Sequence, residues 1–370
     1  MKPGERRHGM RCSRLLVAVI TLVGVLAPVS VSAASGRSQT LAFERTTGSE
    51  KGVYLVRADG SGERRITSGL DPSDRGYGVS WAPNARRFVF SGMEEGGNTS
   101  RLYIVRRDGT NLHALTGGGR EYGDQMAAWS PTGGQVVFMR VGFDRVHLFA
   151  VRVEGDGFVY VSGGADPQWF PGGGKVVFVG NDGSYRNQLF KETVPPDFNH
   201  RRWQISHSPR RSDADNFGPD VSPSGKRIVY VRMFEGLHLG RRHWALRVMR
   251  ADGSGDHLVT KGRRVFPDPE WSPNGRRIVF VGRRHGNNDI YTIRGDGTGL
   301  RRLTHRPGPE SDPTWSPTGR RIAFVSTRDD NKEIYVMRRD GSGERRITFS
   351  PEVDEAPVWA APGSRLGSAP

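Results

Sequence analysis

The stretch Ser311-Asp312-Pro313-Thr314-Trp315-Ser316-Pro317-Thr318-Gly319 leads into Arg320 to Ser326, Glu333 to Arg339, Asp340-Gly341-Ser342-Gly343 and Glu344 to Thr348. It reads as four short strands joined by tight turns. The second strand is a continuous apolar run, as expected of a strand covered on both faces. Proline opens the Ser-Pro-x-Gly turn with a preset backbone angle, and glycine closes it, free to take a positive φ. Asp-Gly-Ser-Gly is a hairpin turn for the same reason. The fourth strand is short and charged, which suits an outer edge that must not pair with another molecule.

The unit before it has the same form: Trp271-Ser272-Pro273-Asn274-Gly275, Ile278-Val279-Phe280-Val281, Asp289 to Arg294, Asp296-Gly297-Thr298-Gly299 and Leu303-Thr304. The tryptophan position recurs at Trp81, Trp129, Trp169, Val221, Trp271, Trp315 and Trp359, at spacings of 48, 40, 52, 50, 44 and 44 residues. The apolar second strand also occurs seven times, from Leu41-Ala42-Phe43 to Ile322-Ala323-Phe324. Periods in the forties are those of four-stranded propeller blades. The fold class is therefore all-β, a β-propeller of seven blades. The repeat region starts on a second strand near Leu41 and finishes on a lone first strand, Glu355 to Ala361, so the last strand is expected to complete the first blade as a velcro. A count of six follows if the irregular fourth unit is no blade. There Lys191-Glu192-Thr193-Val194-Pro195-Pro196 replaces the hairpin and Val221 replaces the next tryptophan.

The Trp-Ser-Pro-x-Gly, Ile-Tyr-Val-Met-Arg-Arg-Asp-Gly-Ser-Gly and Arg-Arg-Ile-Thr segments resemble the WD40-like (PD40) repeats of the TolB family, over residues 41 to 361. The resemblance implies a periplasmic propeller that binds partners as part of an envelope complex. TolB's separate N-terminal α/β domain is not expected, because the propeller begins close to the expected cleavage site. Fold alone does not transfer the Tol partners.

Lys2, Arg6, Arg7, Arg11 and Arg14 precede an apolar run from Leu15 to Val31, and Val31-Ser32-Ala33 has small residues at the cleavage positions. Residues 1–34 therefore read as a secretory signal, 35–362 as one propeller domain and 363–370 as a disordered tail. An uncleaved anchor is the rival reading, and the one through which the chain would meet a membrane. The lone cysteine, Cys12, falls in the signal, so the mature chain has no disulfide or thiolate chemistry. The expected location is extracytoplasmic, in the periplasm or cell envelope or outside the cell, and the expected state is a monomer.

The net charge is +16, with 48 arginines against 7 lysines. Arginine pairs recur with the repeat, at Arg64-Arg65, Arg276-Arg277, Arg301-Arg302, Arg320-Arg321 and Arg345-Arg346. Charge spread by a repeat is expected to encircle the molecule and not to form one patch. With no basic stripe interleaved with aromatics, nucleic acid is not the expected partner.

Catalytic signatures are sparse. No Gly-x-Ser-x-Gly elbow occurs, so a propeller-gated serine hydrolase is not expected. Glycine runs such as Gly172-Gly173-Gly174 lack the Lys-Ser/Thr and helix of a phosphate loop and read as turns. His238 and His243 share one loop, and His200 lies in the irregular unit beside Arg201, Arg202 and Trp203. Their spacing is not that of a metal site. Asp166, Asp268 and Asp312 each stand three residues before a tryptophan position, and Asp124 falls near the equivalent place, as do Asp220 and Asp354. A ring of such carboxylates beside the channel would hold Ca²⁺ or a basic peptide group. The competing reading makes each aspartate a cap of its own loop. The expected binding face carries the loops between second and third strands and those entering each tryptophan strand, with Pro195 to Phe217 as a specific contact element. The expected function is non-catalytic binding of a protein or envelope polymer. The alternative is a carbohydrate-active lyase or hydrolase using channel-facing histidines and aspartates.

Overall fold

A computed structural model describes residues 39–72, 78–94, 96–117, 121–143, 145–154, 157–183, 186–194, 201–207, 214–235, 242–260, 264–284 and 286–360. The expected signal, the tail, Phe198, His200 and His238 lie outside the described residues. Among those described, strands and turns account for all regular structure, and no helix is long and apolar enough to cross a membrane.

Seven antiparallel sheets follow one another as blades. Blade 1 pairs Asp354–Trp359, Thr40–Arg45, Gly52–Arg57 and Arg64–Arg65 in that spatial order, so the C-terminal strand closes the ring as expected. Blade 3 runs Gly123–Trp129, Gln135–Val141, Val146–Arg152 and Phe158–Gly163, and blade 4 runs Ala165–Trp169, Lys175–Asn181, Asn187–Thr193 and Arg202–Gln204. The irregular unit is thus a complete blade, which settles the count at seven. Blades 5 and 7 begin at Ala214–Val221 and Glu310–Trp315. In blades 2 and 6 the first strand is split, into Leu70–Pro72 with Val79–Trp81 and Arg264–Val265 with Glu270–Trp271.

The core lies between blades. Seven clusters of buried apolar side chains each join two neighbours, from Phe88 and Trp81 with Leu55 between blades 1 and 2 to Leu41 and Trp359 with Val325 between blades 7 and 1. This is why the second strands are apolar throughout: each side of the sheet meets a neighbouring blade. The threonine of each Ile-Thr, Leu-Thr or Val-Thr pair has a specific task. Thr67, Thr116, Thr260, Thr304 and Thr348 accept a hydrogen bond at 2.9–3.2 Å from the third-strand N–H of Val53, Leu102, Leu246, Ile290 and Ile334, and Ser206 does so for Leu189 at 2.7 Å. The side chain thereby takes over the ladder where the short fourth strand ends.

The innermost strands are stitched across blades just before the tryptophan. Ser80 accepts from the Trp129 N–H at 2.9 Å, and Asp220 from the Trp271 N–H at 2.6 Å. The indoles of Trp169 and Trp359 donate to the carbonyls of Ala128 and Thr314 at 2.9 and 3.2 Å.

Candidate functional site: a groove across blades 3 and 4

The residue three places before each tryptophan position has a left-handed backbone in all seven blades: Gly78, Met126, Asp166, Gly218, Asp268, Asp312 and Ala356, at φ from 51 to 74°. In blades 1, 3, 4, 5 and 7 the strand register shifts here, as at a β-bulge. Aspartate recurs because it tolerates this conformation better than most side chains. The aspartates of Asp-Pro-x-Trp therefore serve the backbone first.

The other carboxylates near this place are engaged. Asp124 is buried and receives Nε and Nη2 of Arg140 at 2.6 and 2.9 Å. Asp354 receives the same two atoms of Arg45 at 2.7 and 2.9 Å, and Asp220 is held by Trp271. The four candidates split between blades 3 and 4 (Asp124, Asp166) and blades 6 and 7 (Asp268, Asp312). Among the described residues no three histidine, cysteine, aspartate or glutamate side chains come together to hold a metal ion.

Two adjoining cavities open at the end of blades 3 and 4 that carries the second-to-third-strand loops. The larger, about 620 Å³, is lined by Arg145, His147, Tyr160, Asp166, Asn187 and Arg202, with Phe217 of blade 5 at its edge. The smaller, about 250 Å³, adds Glu121, Tyr122, Arg140, Phe143 and Phe149, and shares Arg145 and His147 with the first. Together they form one groove with an aromatic floor and arginines along it.

Its side chains are held by stacking. The Arg140 guanidinium lies 4.2 Å from the Tyr122 ring centre and 4.9 Å from that of Phe158. Arg202 lies 3.9 Å over Phe190. The His147 ring meets Tyr160 edge-on at 5.5 Å, and its Nδ1 is buried without a hydrogen-bond partner. Phe143, at the tip of the loop, is 90 % exposed and Tyr160 is 49 % exposed, unusual for aromatics.

The groove gathers Asp166 and Arg202 directly and Asp124 through Arg140. It leaves out Asp268 and Asp312. Trp203, 39 % exposed, lies on the outer strand with the Lys175 and Lys191 ammonium groups 5.8 and 5.6 Å from its ring. Arg201 is exposed, its N–H bound to the Thr193 hydroxyl, and exposed His243 pairs with Phe234 in blade 5. The expected contact element from Pro195 to Phe217 belongs to blades 4 and 5 in its described parts. Arg202–Gln204 is the fourth strand of blade 4, Ile205 and Ser206 are buried, and Ala214 to Phe217 open the first strand of blade 5.

His147 and Tyr160 escaped the motif search, yet the sequence carries a signal for them. At the same places blades 6 and 7 have Asp289 with Arg302 and Glu333 with Arg346, ion pairs at 2.8 and 2.5 Å. Blade 3 replaces such a pair with histidine and tyrosine, and an alignment of the chain against itself exposes the departure.

This architecture and repeat define a TolB-like β-propeller. Residues 210–368 match the family model described as the TolB beta propeller domain, PD40. An uncharacterized protein of Agrobacterium fabrum is 34% identical over 194 residues, 49% of this chain and 62% of that relative, so the match spans less than two thirds of its length. Among solved structures, TolB from Acinetobacter baumannii superposes with a TM-score of 0.52 at 14% identity, covering 87% of this chain and 82% of that one. Oligogalacturonate lyase from Vibrio parahaemolyticus gives 0.63 at 11%, covering 82% and 94%. At such identities the superpositions speak for the fold alone.

Proposed function

We propose that the chain is an extracytoplasmic, non-catalytic binding propeller whose groove across blades 3 and 4 receives a protein partner. Residues 1–34 are its secretory signal and 35–362 its propeller. The observation that carries this reading is the exposed Phe143 and Tyr160 beside Arg145, His147 and Arg202. Aromatic and arginine side chains around a concavity are the composition of protein-binding hot spots. The TolB resemblance supports the same class and location.

The test uses the mature protein (residues 35–370) as bait for envelope extract of its own organism, at low and high salt, beside the variants Phe143→Ser and Tyr160→Ser. The expected result is a protein retained at high salt by the parent and lost by both variants. Retention of nothing, or equal retention by the variants, refutes the groove as the site. N-terminal sequencing of exported protein checks cleavage near Ala34.

One observation favours the enzymatic alternative: His147 Nδ1 is buried and unpartnered in the groove. Turnover of an acidic oligosaccharide that disappears in His147→Ala would decide for it.

A further inference from the structure

The repeat carries arginine around the ring, and its hairpin copies lie at one end of the blades. The turns between first and second strands and the hairpins between third and fourth strands share that end. The Arg107 N–H donates to the Arg86 carbonyl at 2.8 Å, Arg339 N–H to Arg320 at 2.9 Å and Ala251 N–H to Lys226 at 3.0 Å. At the third-strand end of the same hairpins Arg57, Arg106, Arg152, Arg250, Arg294 and Arg338 are all exposed, one per blade in blades 1, 2, 3, 5, 6 and 7. These six blades are contiguous around the closed ring. Blade 4, which has Thr193 at the same place, interrupts the series.

Arginines of neighbouring blades meet in the seams. Arg64 of blade 1 donates to the carbonyls of Arg107 and Asp108 in blade 2, and Arg345 of blade 7 donates to the carbonyl of Ala58 in blade 1. In blade 6, guanidinium nitrogens of Arg277 and Arg294 both lie within 3.7 Å of the point a β-carbon on Gly299 would take. Burial and then Arg294, Arg301 and Arg339 press the Arg277 pKa below the usual arginine range. Burial and then Arg64 and Arg57 do the same at Arg107. The acids on these hairpins, Asp59, Asp108, Asp252, Asp296 and Asp340, sit at the tips. Each is tied to the N–H and hydroxyl of the serine or threonine two residues on.

We propose that this end of blades 5, 6, 7, 1, 2 and 3 binds a flexible phosphate-bearing polymer, laid along the arc with its phosphates in the arginine-lined seams. Guanidinium forks match phosphate oxygens, and a tetrahedral phosphate can accept forks that converge from two blades. A chain running along the seams avoids the tip aspartates, which a flat anionic bilayer would meet head-on. The arc turns too tightly for a stiff duplex, whose persistence length is about 150 bp.

The experiment measures binding of linear polyphosphate to the mature protein by fluorescence anisotropy across a salt series. Arg294→Gln/Arg338→Gln is compared with Arg283→Gln/Arg306→Gln, an equal charge loss from exposed arginines at the other end of the same blades. The hairpin pair is expected to weaken binding tenfold or more at low salt and to flatten the salt dependence by about 1.4, roughly 0.7 per lost contact. The control pair is expected to change affinity less than twofold. Arg294→Lys/Arg338→Lys, which keeps the charge and loses the fork, should fall between, and guards against a folding defect. Equal loss in both pairs, or tighter binding of anionic vesicles or duplex DNA than of polyphosphate, overturns the proposal.

Discussion

Glu44 offers the sharpest test of how the closed ring is built. It follows Phe43 where four other blades carry Val179, Val231, Val281 or Val325, and it is fully buried. Neither carboxyl oxygen has a hydrogen bond of ordinary geometry. Burial, and then Glu355 opposite it, push its pKa to about 8, with the Gly78 backbone pulling weakly the other way. The folded chain therefore holds a proton that the unfolded chain, with an ordinary carboxyl, releases near pH 4.5. Stability from this group is present in acid and lost as pH rises through 8. Between pH 5 and pH 9 the loss is about 4 kcal/mol, or roughly 6 °C in melting temperature for a chain of this size. Glu44→Gln stays neutral throughout. Thermal melts of both proteins from pH 5 to pH 9 should start close together and diverge, with the variant melting roughly 6 °C higher at pH 9. If the two curves stay parallel over that range, Glu44 is not a buried carboxylic acid and the packing inferred around it is wrong.

Thr348→Val keeps the shape of the side chain and removes the acceptor for the Ile334 N–H, so urea unfolding should show a loss of about 1–2 kcal/mol. Ala356→Gly relieves an alanine held at φ 52° in the closing strand and should raise stability by about 1 kcal/mol in the same assay. Arg140→Met strands the Asp124 carboxylate, whose side chain is 1% exposed, and should cost about 3–5 kcal/mol; Arg140→Met/Asp124→Leu should recover much of it.

Most of the fold was legible in the sequence because the repeat is local. The proline and glycine of Ser-Pro-x-Gly, the Asp-Gly hairpins and the apolar second strands each report a turn or a strand within one blade. The fourth blade was harder, since Arg202–Gln204 pairs across an interrupted hairpin and carries no hairpin motif. What lies between blades was not legible. The interblade bonds of Asp220 and Ser80 depend on how neighbouring sheets face each other, which no spacing within a unit encodes. The aspartate of Asp-Pro-x-Trp left ligand and loop cap both open, because its regularity was visible and its φ was not. His147 and Tyr160 became candidates only when the cavity showed what their departure from the repeat left open. The arginine pairs show that charge recurs with the repeat, but not at which end of the blades the copies gather.

The closing strand also sets a schedule for folding. Arg45 and Asp354, paired in the finished ring, are separated by 309 residues along the chain. Until the last strand arrives, Thr40–Arg45 presents an open edge, and the slow search for so distant a partner governs how long it stays open. A second copy's Asp354–Trp359 fits that edge as well as the chain's own, so swapped dimers compete with closure at high concentration. A chain cut short by its last seventeen residues would keep most of its blades and never lose the open edge.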